Sequence, residues 1–376
     1  MTQASLNMSR RIRRTPFTDK VEEHGVSGFT VVNHTLLPKA FNKTIEEDYW
    51  HLRKHVQIWD VGCQRQVEIS GYDAHNLVQW MTPRDICRAN VGKCYYIPLI
   101  TENGGLINDP VLLKIAQDRY WLSIADSDVL LWVKGLAIGS RLNVKIKEPN
   151  IWPLAIQGPK ACSLMIDVFG EKIKNLKFFN FDWFEFEGTK QLIARSGYSK
   201  QGGYEIYLKG SKHGSKLWDL IWKTGRRYNI RPGSPNLIER IEGGLLSYGN
   251  EMTIKNNPLE CGMEKYCSFA DELNYIGKEA LKLKMRNGLK KKICGIIFDG
   301  SPMSACTRPW IVTSRKGGQV IGKVTSGIYS PYMDANIGLS MIKKDYWDQD
   351  TSVLVHIGDG QTRQGKVSAL PFSNNL

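Results

Sequence analysis

The sequence predicts an α+β protein of two or three domains that ends in a small β-barrel or sandwich. Three observations carry this. A chain of 376 residues is longer than a single core usually serves. Strand-like and helix-like stretches intermix as far as residue 286. From about residue 293 onward, short strands and turns dominate.

The elements follow in order. A capping-box start, TIEE at 44–47, opens a helix expected to run to about Trp59, with Tyr49, Leu52, Val56 and Trp59 at helical spacing. RQVEIS (65–70) alternates as a strand does, GYDAHNLVQWM (71–81) reads as a helix, and CYYIPLI (94–100) leads into a Gly-turned hairpin. RYWLSIA (119–125), a helix SDVLLWVKGLAIG (127–139) and a strand NVKIK (143–147) complete a first domain over 1–148. The second domain, 149–288, opens on WPLAIQGPKACSLMIDVFG (152–170), a strand, a turn and a helix closed by Gly170. Two long strands around Gly188, the strand GYEIYL (203–208) and helices near 215–228 and 236–248 follow. RNGLKKK (286–292) is polar and reads as a linker to the third domain, 289–376, with strands in QVIGKVTSGIYS (319–330) and TSVLVHIG (351–358).

Composition removes several functional classes. The best membrane candidate, VLLWVKGLAIG (129–139), is far short of the ~20 residues a spanning helix needs and carries Lys134, so no membrane partner is expected. The basic start MTQASLNMSRRIRR has no apolar segment behind it and is not read as a secretory signal, which leaves a cytoplasmic address. Eight cysteines (63, 87, 94, 162, 261, 267, 294, 306) show neither a CxxC pair nor zinc-finger spacing, so reduced thiols and no metal are expected. His51 and His55 lie four apart on the expected helix, but no third ligand is near them in sequence. A net charge of +14 raises the question of nucleic acid. Apart from RRIRR (10–14) and KKK (290–292) the basic residues are dispersed, and no nucleic-acid motif occurs, so no such partner is expected. The excess serves solubility and would also steer small anionic ligands inward.

No GxGxxG after a strand, P-loop, HExxH or GxSxG is present. What remains is a series of Gly turns beside polar residues: ENGGLINDP, IQGP, SGYSKQGGYEIYL, EGGLLSYGNE and VTSGIYSP. One of them is odd. In LITENGGLINDPVLLKI (99–115) the second strand begins with Asn108, Asp109 and Pro110, a carboxylate and a residue unable to donate to a ladder.

In this order the motifs resemble the aminomethyltransferases, the folate-dependent family of the glycine cleavage T-protein. The likeness runs from RTPF (14–17) through DVGCQRQVEISGYDAHNLVQWMTPRDI (60–86), GGLINDPVLL (104–113) and LAIQGPKA (154–161). It continues in YEIYL (204–208), RIEGGLLSYGNE (240–251), IGKEAL (276–281) and GKVTSGIYSP (322–331). The resemblance implies three α+β domains around a central folate channel, the third a small β-barrel. It also implies tetrahydrofolate as cosubstrate, a small-molecule partner and no metal, and leaves a homodimer as the assembly to test. The second Asp of the family's GGxxDD matches Asp109, which the resemblance puts beside the reacting folate nitrogens as catalytic residue. Glu205 matches a position contacting the pterin, and Tyr95 and Arg308 are also expected on the folate side.

Departures from the T-protein pattern point to a particular branch. GYTGExGxE is replaced by GYSKQGGYE (197–205), and the Arg of GxxARDxLRLE by Asn236 in GSPNLIERIE. These stretches look like the dimethylsulfoniopropionate demethylase branch, whose substrate is a sulfonium cation bearing a carboxylate. Aromatic faces suit such a cation, by ~0.5–2 kcal/mol each, and Tyr96, Trp183, Tyr198 and Tyr204 are the candidates alongside Tyr95. Arg195 and Lys200 are candidates for its carboxylate, with Arg308 serving either that group or the glutamate tail of folate. An aminomethyl or N-demethylating relative acting on a glycine derivative, and a folate-binding protein without turnover, remain the alternatives.

Overall fold

A computed structural model describes residues 8–315, 318–358 and 360–372, so the first seven residues of the basic start lie outside the described residues. The described chain clusters into two compact units. The first takes the chain up to Gln66, Glu148–Gly197 and Gln201–Pro235; the second takes Val67–Lys147, Tyr198–Lys200 and the chain from Asn236 onward.

The first unit is built on a six-stranded sheet. Its order is Phe181–Phe186, Thr189–Ala194, Gly203–Lys209, Ile151–Gln157, Val56–Asp60 and Ile230–Gly233. Only the last pairing is parallel. The capping box forms as expected, with the Thr44 hydroxyl accepting from the Glu47 amide and the Glu47 carboxylate accepting from the Thr44 amide. The helix it opens, Ile45–Lys54, stops short of the expected Trp59, because Val56–Asp60 is a strand buried over all five residues. Both faces of this strand are covered. Val56 and Ile58 pack with Leu154, Ile156 and Trp218, while Trp59 packs with Leu52, Val61 and Ala155. A strand buried on both sides has no polar face, so its apolar residues also satisfy helical spacing. His51 and His55 are committed locally: His51 Nε2 donates to the Asn229 carbonyl at 2.8 Å, and Lys160 Nζ meets His55 Nδ1 at 3.0 Å.

The second unit contains a five-stranded sheet, ordered Lys145–Lys147, Gln66–Ser70, Arg119–Ser123, Val111–Ala116 and Cys94–Tyr96. Helices Ala74–Met81 and Val129–Ser140 cover it, burying Leu77, Val78, Met81, Val129 and Val133 with Leu112, Tyr120 and Leu122. Strands Lys291–Phe298, Ala335–Lys343, Val320–Ser330, Trp310–Ser314, Ser352–His356 and Thr362–Ser368 close into a barrel, which decides between barrel and sandwich. Its interior is filled by Ile296, Val312, Ile321, Val324, Ile342 and Val355.

The helix expected over 236–248 is only Leu237–Glu242. Asn236 caps it, its side-chain oxygen accepting from the amides of Ile238 and Glu239, and Gly244 ends it in the left-handed region at φ +62°. The residue that replaces the T-protein arginine therefore serves the helix terminus. Behind this helix lies a buried ion pair. Arg240 Nη1 bonds Glu251 Oε2 at 2.9 Å, the Ser247 amide donates to the same oxygen at 2.8 Å, and Ser326 of the barrel bonds both partners.

Candidate active site

The unusual start of the strand after the Gly turn is resolved by its neighbours. Leu99 pairs with Asn108 and Ile100 with Leu106, and the turn between them needs its glycines: a Cβ on Gly105 would lie 2.2 Å from the Ile254 carbonyl. Asn108 is fully buried and locked, donating to the Ala125 carbonyl at 3.0 Å and Ser127 Oγ at 2.8 Å while accepting from the Ala125 amide at 3.0 Å. Pro110 owes nothing to a ladder, since its carbonyl accepts from the Ile97 amide and pairing resumes only at Val111. Asp109 thus occupies a break between two strands, on a backbone fixed from both sides.

Its carboxylate has one partner and one free oxygen. Tyr96 Oη donates to Asp109 Oδ2 at 2.6 Å, whereas Oδ1 is buried with no hydrogen-bond partner among the described residues. Residue 109 as a whole keeps some exposure even though Oδ1 is closed off. Burial pushes the carboxyl up to about 7, opposed by the Tyr96 hydrogen bond and reinforced by the charge of Glu251. Burial and the Asp109 charge hold the Tyr96 phenol well above its ordinary value. The proton of the pair therefore stays on the phenol, and the carboxyl titrates near neutrality.

Around this pair the second unit gathers further phenols. The Tyr198 hydroxyl donates to the carbonyls of Leu245 at 3.0 Å and Leu246 at 2.7 Å, and that of Tyr248 to the Leu106 carbonyl at 3.0 Å. Tyr95 lies one residue from the pair, its hydroxyl accepting from the Asn90 amide at 2.8 Å. Lys200 is exposed and left-handed at φ +60°, and Arg308 is exposed with its carbonyl accepting from the Cys306 thiol. Tyr96, expected as a face for a substrate cation, spends its hydroxyl on Asp109 and sets its ring edge-on to Tyr266, centroids 5.3 Å apart.

The other candidates belong to the first unit. Glu205 sits on the strand Gly203–Lys209 opposite Ala155 and Ala194, is 6% exposed, and accepts from the Ser196 hydroxyl. Burial raises its carboxyl, against that bond. Trp183 lies half-buried opposite Leu192. Tyr204, expected to face a substrate cation, is instead packed into the apolar core, where its hydroxyl donates to the Cys162 thiol at 3.3 Å. The exposed Arg195 spends Nη1 on the Leu176 carbonyl at 3.0 Å. Among the described residues no group of three or more His, Cys, Asp or Glu is placed to hold a metal ion, and no helix is long and apolar enough to cross a membrane.

Two residues were not singled out from sequence. Arg84 and Tyr266 join Tyr95 and Tyr96 through ring contacts. The only signal was the arginine in MTPRDI, which lies within the motif without marking its own partners.

Residues 17–271 match the GCVT N-terminal domain and residues 291–373 the glycine cleavage T-protein C-terminal barrel domain. The chain is 44% identical to dimethylsulfoniopropionate demethylase DmdA of Ruegeria pomeroyi over 95% of its length and 96% of that protein. It is 31% identical to an aminomethyltransferase of Bacillus mycoides over 92% of its length and 94% of that protein. The crystal structure of aminomethyltransferase T of the Bartonella henselae glycine cleavage system superposes with a TM-score of 0.85 at 21% identity, covering 96% of this chain and 98% of that one. Fold and matched domains together define a one-carbon transferase. The chain belongs to the glycine cleavage T-protein family, the aminomethyltransferases.

Proposed function

We propose that the protein is a tetrahydrofolate-dependent demethylase that takes a methyl group from dimethylsulfoniopropionate, or a sulfonium closely like it, giving methylmercaptopropionate and 5-methyltetrahydrofolate. The observation that carries this reading is the 44% identity to the demethylase across nearly the whole of both chains, against 31% for the B. mycoides aminomethyltransferase.

The residues around Asp109 fit a pterin. Its ring N–H and amino groups are donors, and Asp109 offers a buried oxygen that has no partner among the described residues. When bound, tetrahydrofolate supplies the nucleophilic N5. The methyl–sulfur bond breaks, its electron pair stays on sulfur, and the sulfonium becomes a neutral thioether that needs no acid to leave. The nitrogen that gains the methyl must lose its proton. Asp109 is suited to take it, because its carboxyl titrates at about 7. Tyr96 fixes the carboxylate through Oδ2 and leaves Oδ1 as the acceptor. Alignment of the reactants carries most of the rate, since well-oriented reactions reach effective molarities of roughly 10⁵ M or more.

Three of the apolar cores favour a division into three domains near 148 and 288, with residues 17–58 contributing to the core of the middle segment, while a further core packs Ile100 and Leu106 with Met252, Leu273 and Leu281 across the first boundary. The eight free thiols support a reducing, cytoplasmic setting.

The test is to incubate the protein with tetrahydrofolate and dimethylsulfoniopropionate and to quantify 5-methyltetrahydrofolate and methylmercaptopropionate. Equal amounts of both products are expected. Formation of methylenetetrahydrofolate from a glycine derivative, with no product from any sulfonium, would move the protein to the aminomethyl or N-demethylating relatives.

A further inference from the structure

The guanidinium of Arg84 lies over two phenol rings, 5.3 Å from the centroid of Tyr95 and 4.9 Å from that of Tyr266. Its Nη1 is anchored on the Tyr96 carbonyl at 2.6 Å, the residue whose hydroxyl holds Asp109. Nε and Nη2 have no partner among the described residues. Lys265 brings a second positive charge to 5.0 Å from the centroid of Tyr266, and no Asp or Glu among the described residues pairs with either cation.

This arrangement lacks the counter-charge its burial calls for. Arg84 is half-buried, and burial draws its guanidinium below the ordinary arginine value. Other half-buried arginines of this chain have a carboxylate, as Arg65 and Arg13 have Glu148. A guanidinium in contact with two rings and anchored by one hydrogen bond presents its remaining donors as a ready fork. Two parallel N–H groups in that geometry match a carboxylate, and little rotamer freedom is left to lose on binding.

We infer that Arg84, which shares the Tyr266 ring with Lys265, is a carboxylate-binding site for the reactants. The inference rests on the proposed reaction, in which two reactants carry carboxylates: the sulfonium donor and the glutamate tail of tetrahydrofolate. Neither Arg195 nor Arg308 is placed in this way. Arg195 is exposed and bonded to a backbone carbonyl, and Arg308 is exposed.

The experiment compares the full-length protein with Arg84→Met and Arg84→Lys. Donors are dimethylsulfoniopropionate and the carboxylate-free dimethylpropylsulfonium; acceptors are tetrahydrofolate and tetrahydropteroate, which lacks the glutamate. The parent should prefer the carboxylate-bearing donor by roughly 10–100-fold in kcat/KM, the worth of a charge-assisted pair. Arg84→Met should erase that preference by raising KM for this donor alone, and Arg84→Lys should restore part of it. Should the variant instead lose the preference for tetrahydrofolate over tetrahydropteroate, the site stands and the glutamate tail is its ligand. Retention of both preferences, or an equal loss for every pair together with a lower Tm, overturns the inference. Calorimetric binding of methylmercaptopropionate and tetrahydrofolate keeps the two readings apart. A parent that binds either carboxylate through Arg84 yet methylates no folate refutes the reaction and leaves the site in place.

Discussion

Removing one hydroxyl tests the electrostatics of the site. Tyr96→Phe deletes the donor 2.6 Å from Asp109 Oδ2 and leaves the ring against Tyr266, so the fold should survive. Hydrogen bonds to charged groups contribute about 1.5–3 kcal/mol. At ~1.36 kcal/mol per pH unit, the carboxyl should rise by roughly 1–2 units. The direction is fixed: the hydroxyl stabilises the ionised form, so without it the carboxyl moves upward from about 7. A base must be ionised to accept a proton, so the acid limb of the kcat/KM profile should move to higher pH by that amount. At pH 7 the ionised fraction falls from about one half to roughly 1/10–1/100, which predicts a loss of roughly 5–50-fold that recovers near pH 9. The assay is 5-methyltetrahydrofolate formation at limiting donor between pH 5.5 and 9.5. A limb that stays in place, moves toward acid, or gives way to a uniform loss at every pH would refute Asp109 as the titrating base.

Asp109→Asn should abolish turnover while stabilising the protein. A carboxyl raised from 3.8 to about 7 on folding binds a proton that the unfolded chain has released, so its contribution to stability is intact below pH 4 and is lost as pH rises through 7. The variant should therefore melt higher than the parent at pH 8, by up to ~4 kcal/mol, with no gain below pH 4; thermal melts at the two pH values check this. Glu205→Gln, which swaps an acceptor-only group for an amide at a buried position, should raise KM for tetrahydrofolate roughly 10-fold or more and change kcat little. Arg240→Met leaves Glu251, fully buried, without its cation and should cost ~3–5 kcal/mol in denaturant unfolding, much of it returned when Glu251→Gln is added. A single variant no less stable than the parent would show that Ser247 and Ser326 alone satisfy that carboxylate.

The legible parts of the chain were those whose cause is local. The capping box at Thr44 and the short strands after residue 290 depend on neighbours a few residues away, and each forms as read. The two helices that ended early failed for different reasons. Val56–Asp60 is buried on both faces, so the spacing of its apolar residues fits a helix as well as a central strand. The second helix is stopped after Glu242 by Gly243 and Gly244, a terminus already visible in the sequence. Tyr204 was expected as a face for the substrate cation and Arg195 as a partner for its carboxylate, but packing commits one to the core and the other bonds a backbone carbonyl.

The sequence by itself determined the family, the run of short strands at the end and the place of Asp109 in its motif, because these depend on residue identity and short-range spacing. Only the tertiary structure decided that this carboxyl titrates near neutrality with one oxygen unpartnered among the described residues, that the last strands close into a barrel rather than a sandwich, and that Arg84 lies over Tyr95 and Tyr266 with no counter-ion among the described residues. Proton affinity and unpaired charge are set by burial and by neighbours that folding brings from far along the chain, as Tyr266 is brought to Arg84.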